Sequence, residues 1–196
     1  MRLAIRLTGA GGQGIVLAGL LLAEAAVRDG HHVVCTQAYG PESRGGASRS
    51  EVIVSDAAIA YPVARQVDLL IALTPDAWAR WWPEITPGGI ALPDADRANL
   101  PAAPAVRARA VPIVATARAV TGSPRPANVV AVGVAAALCA LPSRQALDEA
   151  VRARWSTAAA AVNLRALDAG WRVGTALRAE GWAPRAVAPA GSVVAS

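Results

Sequence analysis

A chain of 196 residues with 54% hydrophobic residues and a mean hydropathy of +0.36 is long enough for one domain with a real core. All 19 basic residues are Arg and none is Lys, which excludes a P-loop lysine and Schiff-base chemistry. The formal charge of +5 is spread along the chain without a basic run, so it argues against nucleic acid and fits an anionic small ligand or an acidic partner chain.

The chain opens on a short apolar run, Leu3 to Leu7, that reads as a strand. Gly9-Ala10-Gly11-Gly12-Gln13-Gly14 follows, and then apolar spacing from Ile15 to Val27 that suits a helix packed on a sheet. A tight glycine turn at a helix N-terminus lets the backbone approach a ligand and favours negative charge. It has the form of the dinucleotide-binding fingerprint, which also wants an Asp or Glu at the end of the second strand. The second strand, His32 to Gln37, ends without a carboxylate. Gly30 is placed to end the helix, so the opening is a βαβ unit.

Residues 37–48 form a loop rich in Gly, Pro and Ser. Ser50, Val52 and Val54 then alternate with Glu51 and Ile53 as a third strand. The connector is too short for a parallel crossover, so this strand is expected to run antiparallel. A buried strand follows over Val67–Leu73, and a helix starts with Thr74 as N-cap and Pro75 at its first position, running to Trp82. Pro87-Gly88-Gly89 reads as a turn, Ile90–Leu92 as a strand, 94–104 as a Pro/Ala-rich loop and Val106–Val111 as another strand. Helical patterns cover roughly 114–120, 127–140, 144–155 and 158–179. The fold expected is α/β: a three-layer Rossmann-like domain over 1–180 with a mostly parallel, mixed sheet and a helical C-terminal portion. Residues 181–196 form a flexible or partner-contacting tail. No apolar run reaches the length of a membrane span and the N-terminus lacks the shape of a signal peptide, so a cytoplasmic protein with no membrane partner is expected. Cys35 and Cys139 read as buried free thiols; two cysteines and two histidines hold neither an iron–sulfur cluster nor a structural zinc.

The loop reads Gln37-Ala38-Tyr39-Gly40-Pro41-Glu42-Ser43-Arg44-Gly45-Gly46-Ala47-Ser48. Its Gly40-Pro41 and Gly45-Gly46 pairs fix unusual backbone angles around Tyr39, Glu42 and Arg44, at the ligand edge of an α/β sheet. Taken with Gly9 to Ile15, Ser50 to Ser55, Ile59-Ala60-Tyr61-Pro62 and the Asp68-Leu69-Leu70 strand start, this sequence resembles the gamma subunit of the 2-oxoacid:ferredoxin oxidoreductases. Weaker matches at Asn128–Gly133 and Asn163–Gly170 extend the resemblance over about residues 1–175. The loop is most similar to that of 2-oxoglutarate-type gamma subunits.

The resemblance implies a subunit that is inactive alone. Thiamine diphosphate with Mg and [4Fe-4S] clusters would belong to alpha and beta partner chains and any ferredoxin-like delta chain, with ferredoxin reached through the complex and coenzyme A as co-substrate. No catalytic residue and no metal ligand are assigned here; the chain would complete the active-site cleft, brace its partners and help admit coenzyme A. Gly9, Gly11, Gly12, Gln13 and Gly14 are the cofactor-binding candidates, against a turn that only lets the helix pack. Tyr39, Gly40, Pro41, Glu42, Arg44, Gly45 and Gly46 form the substrate or partner loop. In it Arg44 either clamps a carboxylate or a phosphate of coenzyme A, or makes an intersubunit bridge or a pair with Glu42. Trp78, Trp81 and Trp82 are read as unable all to face the same core, so that one or more either meets a partner subunit or packs elsewhere within the domain. Asn128 either caps its helix or lies near the cleft. His31, His32, Asp56 and Asp68 read as surface, turn or strand-edge residues. The alternatives to a subunit are a stand-alone Rossmann-like nucleotide- or CoA-binding protein and an NAD-dependent dehydrogenase, the latter disfavoured by the missing acid.

Overall fold

The computed structural model describes residues 1–38, 47–95 and 106–187. The strands are β1 (Arg2–Ala10), β2 (His32–Ala38), β3 (Ala47–Ser55), β4 (Val67–Ala72), β5 (Ile85–Pro93) and β6 (Arg107–Ala108). They form one sheet in the order β2-β3-β1-β4-β5-β6. β1, β4, β5 and β6 run parallel, and β3 lies antiparallel to both β1 and β2, as its short connector requires. The insertion of β3 corrects the simple βαβ opening. β2 is parallel to β1 but separated from it by a whole strand, so its end stands about 10 Å from β1 at ordinary strand spacing.

The helices are α1 (Ile15–Arg28), α2 (Pro75–Trp81), α3 (Ile113–Thr121), α4 (Ala127–Cys139), α5 (Arg144–Arg154) and α6 (Thr157–Ala179). The buried residues of α1, α3, α4, α5 and α6 join one large core with Leu3, Ile5 and Leu7 of β1. Those of α2 join a smaller core on the other face, with Ala4, Ile53 and Leu70. The short α2, the sheet and the helical body are the layers. Every residue of α4 is buried, which explains its apolar composition all round. It packs against α6 with backbones nearly touching: a Cβ on Gly133 would meet Leu167 O at 2.4 Å, and one on Gly170 would meet Val130 O at 2.1 Å.

Local signals set the helix ends. Thr74 Oγ1 accepts the Ala77 N–H at 3.3 Å with Pro75 at the first position of α2. Gly30, at φ 84°, closes α1. Ser143 accepts the Ala146 N–H at 3.2 Å at the start of α5, and its own hydroxyl and N–H donate to Asp29 at 2.7 and 2.6 Å. That pair ties the end of α1 to the start of α5.

Three expectations are corrected. Pro87-Gly88-Gly89 is not a separate turn: it lies inside β5, where the register with β4 jumps from Val67↔Ile85 to Leu69↔Ile90. The three tryptophans do share a core. Trp78 and Trp81 are buried in the smaller cluster and Trp82 packs against it, because positions three and four apart lie on one side of a helix. Cys139 is buried, but Cys35 is only half-buried, since β2 is an edge strand. The described part of the tail, through residue 187, lies against the domain: the Arg107 and Arg109 guanidiniums sit over the Trp182 ring, and Arg185 packs at Gly88.

Candidate functional site

Between strand β1 and helix α1 the chain must turn sharply, and Gly12 and Gly14 do so at φ 85° and 72°. Gly14 is the N-cap of α1 and offers no side chain to its free N–H groups. Gln13 locks the turn: its Oε1 accepts the Ala10 N–H at 2.7 Å, and its N–H donates back to Ala10 O at 3.2 Å. The amide oxygen is therefore spent inside the turn, leaving the side-chain NH2 to meet anything else. Gly9 serves that lock, since a Cβ there would lie 2.4 Å from Gln13 Oε1. Asn128 Nδ2 donates to Gly14 O at 3.1 Å and ties the turn to α4. Of its two sequence readings, the structure gives the one near the cleft.

The turn forms one wall of an open groove of about 980 Å³, the size of a small-molecule site. Gly12, Gln13 and Gly14 line it; Gly9 and Gly11 do not. Arg118 of α3, Arg125 before α4, Asn128, Trp155 and Asn163 of α6 complete the walls. No Asp or Glu lines it among the described residues, and the N-terminal ends of α1 and α4 both reach it. Two guanidiniums and two helix N-termini, with no carboxylate among the described residues, make the groove electropositive, the character that suits an anion. Sequence reading missed Arg118, Arg125 and Trp155. One signal was available: Arg125 lies between Pro124 and Pro126 just ahead of a helix, the same placement that singled out Gln13.

The Tyr39, Gly40, Pro41, Glu42, Arg44, Gly45 and Gly46 loop lies outside the described residues. The strand that follows it does not: Ser48 pairs with Gly9 and Ala47 with Ala10, so β3 starts beside the glycine turn. His31 Nδ1 and the N-terminal ammonium sit 3.4 and 2.8 Å from Asp56, whose carboxyl is held below its usual range chiefly by that ammonium. Asp68 accepts the Ala4 N–H at 2.8 Å and the Thr86 hydroxyl at 3.2 Å, a strand-end role.

On the opposite face lies a charged cluster that local sequence did not disclose. Arg6, fully buried in mid-β1, donates through Nε to Glu51 at 2.8 Å and reaches Glu84 at 2.8 Å. Arg49 meets the same Glu51 at 3.3 Å. The Arg6, Arg49 and Arg80 guanidiniums lie 4.8, 4.6 and 5.0 Å from the centre of the Trp81 ring.

The donor set does not suit a cluster or a metal. Cys139 is pushed up to about 12 by burial, and burial also raises Cys35. No group of three or more His, Cys, Asp or Glu converges among the described residues. No helix there is long and apolar enough to cross a membrane.

Fold and groove together define a Rossmann-like α/β domain with an open groove beside its glycine turn. Comparison with known proteins places it further. Residues 4–173 match the pyruvate ferredoxin/flavodoxin oxidoreductase family. A 2-oxoglutarate synthase subunit KorC from Archaeoglobus fulgidus is 41% identical over 70% of this chain and 71% of its own length. The gamma subunit of the keto/oxoacid ferredoxin oxidoreductase of Geobacter sulfurreducens superposes with a TM-score of 0.77 at 40% identity, over 89% of this chain and 99% of that one. The 2-oxoglutarate:ferredoxin oxidoreductase of Magnetococcus marinus, solved with 2-oxoglutarate, coenzyme A and succinyl-CoA bound, superposes with a TM-score of 0.82 at 27% identity, over 90% of this chain and 31% of that one. The chain belongs to the pyruvate ferredoxin/flavodoxin oxidoreductase family, as a gamma subunit of its 2-oxoacid:ferredoxin oxidoreductases.

Proposed function

We propose that residues 1–180 complete the coenzyme A side of the active-site cleft in a cytoplasmic, CoA-dependent 2-oxoglutarate:ferredoxin oxidoreductase. The complex turns a 2-oxoacid and coenzyme A into an acyl-CoA and CO2, passing two electrons to ferredoxin. Thiamine diphosphate with Mg and the [4Fe-4S] clusters are carried by alpha and beta chains and any ferredoxin-like delta chain, a division supported by the two cysteines of this chain and by the lack of a metal-ligand cluster among its described residues. Its own part is binding. The observation that carries this reading is the groove itself, lined by Gly12–Gly14, Arg118 and Arg125 and by no carboxylate among the described residues. Arginines and helix N-termini there hold the phosphates of coenzyme A, and Asn128 keeps the turn in place. The Tyr39–Gly46 loop supplies contacts to substrate or partner, a role supported by the start of β3 beside the turn. The 2-oxoglutarate assignment leans on the likeness to 2-oxoglutarate synthase subunits.

The dehydrogenase alternative is weakened by the sheet order. With β3 between β1 and β2, a carboxylate at the end of β2 would stand too far from the glycine turn to hold a ribose. Tagged protein from its native host tests the proposal. It should bring down two larger chains with a brown iron–sulfur chromophore; a colourless chain that emerges alone and binds a nucleotide would favour the stand-alone binding protein.

A further inference from the structure

The sheet is mostly parallel, and such sheets bury both faces. Among the described residues, α2, the short turn after it and the segment carrying Ile59 and Ala64 cover the face opposite the groove, and α2 lies over β1, β4, β5 and the near side of β3. Over β2 that face has no helix. Thr36 is exposed there, and Val34 and Arg49 are only partly buried. Among the described residues β2 is also an edge strand, paired on one side only, and an edge strand offers main-chain groups that can pair again.

The chemistry beside this bare face is one-sided. Glu51 is already shared by Arg6 and Arg49, and Glu84 is taken by Arg6. Arg80 is exposed, stacked on Trp81, and has no carboxylate partner among the described residues. Trp81 is 9% exposed, and its buried Nε1 has no hydrogen-bond acceptor. A buried indole N–H without a partner is costly, and three arginines against two carboxylates leave positive charge. A surface with spare donors, spare positive charge and a free strand edge is complementary to an acidic segment.

We propose that this β2–β3 face docks a carboxylate-bearing segment of another subunit of the oxidoreductase, with Arg49 and Arg80 as its anchors. The proposal rests on the gamma-subunit reading. It agrees with the Magnetococcus enzyme, where the matching fold occupies 31% of a longer chain and so is joined to further protein.

The test is reconstitution of the complex from this chain and its partner chains, comparing wild type, the double variant Arg49→Gln/Arg80→Glu and a remote control, Arg152→Glu. Circular dichroism and melting temperature of each free chain establish that it is folded. The double variant should bind its partners at least tenfold more weakly, with a binding constant in wild type that weakens as salt rises; the control should bind as wild type. Amide exchange at 32–38 and 47–51 should slow on assembly. Wild-type affinity in the double variant, or unchanged exchange at those segments, overturns the proposal. Protection of the same segments in the isolated chain at high concentration, with a dimer in sedimentation, would assign the face to a second copy and also overturn it. If wild type itself fails to assemble, the gamma-subunit reading fails first.

Discussion

On the groove side of the sheet, Gly133, Gly170 and Gly174 bring helix backbones into contact and α4 is buried on every side. On the α2 side one short helix and the segment carrying Ile59 and Ala64 cover the sheet, and Arg6, Glu51 and Trp81 meet beneath them. The first face is held by shape. Its stability comes from small residues and apolar area, roughly 1.5–3 kcal/mol for each fully buried Val or Leu. The second adds to a smaller apolar core a buried charge cluster, which is tolerated only while its charges stay paired. The difference separates two jobs. A rigid, apolar body can hold a groove open with its polar groups at the rim. A charged, half-covered face is suited to another chain.

The largest expected effect breaks the second face. Glu51→Gln removes the carboxylate that both Arg6 and Arg49 use, leaving Arg6 buried with Glu84 alone, and should cost about 3–5 kcal/mol in urea unfolding. The joint exchange Arg6→Met/Glu51→Leu should recover much of that loss, since an apolar pair needs no counter-charge. A Glu51→Gln midpoint unchanged from wild type would show that the cluster is ornamental. The first face breaks differently. Gly170→Ala places a methyl 2.1 Å from Val130 O and should cost about 1–3 kcal/mol by forcing α4 and α6 apart; a neutral result would mean that the helices are loosely packed. Ser143→Ala loses the cap of α5 and the hydroxyl's bond to Asp29 while keeping the backbone one, with an expected cost of about 1 kcal/mol in the same assay.

The smallest effect is electrostatic and lies on the outer surface of the helical body. Asp168 is held below the usual carboxylate range, first by its hydrogen bond from Arg144 and further by the nearby Arg172 charge. A carboxyl lowered in the folded state stabilises above its unfolded pKa, and that contribution disappears as pH falls through the folded value. Because the side chain is 38% exposed, solvent screening limits it to at most about 1 kcal/mol. Comparing wild type with Asp168→Asn from neutral to acid pH should show the gap closing below the ordinary Asp range.

Much of this was legible locally. Helical periodicity set α1 and α3–α6 to within a residue or two, and Thr74-Pro75 marked the start of α2. Connector length made β3 antiparallel to β2, yet could not show that its other neighbour is β1, because strand order is a long-range property. The same limit hid the Arg6–Glu51 pair: the two residues are opposed only through the register of β1 with β3. A single Arg inside the apolar Leu3–Leu7 run was the one local sign. The glycine turn pointed to half of the groove. The other half comes from α3, α4 and α6, brought together by packing rather than by any motif. The tryptophan spacing was readable, since positions 78, 81 and 82 share a helical face.

The central claim is that the groove on the helix-rich face receives coenzyme A. Its most direct test is steady-state turnover of the reconstituted oxidoreductase carrying Arg118→Gln/Arg125→Gln. Loss of charge-assisted contacts, worth about 1.4 kcal/mol or more in total, should raise the KM for coenzyme A at least tenfold and leave the KM for the 2-oxoacid unchanged. An unchanged KM for coenzyme A in a fully assembled complex would contradict it.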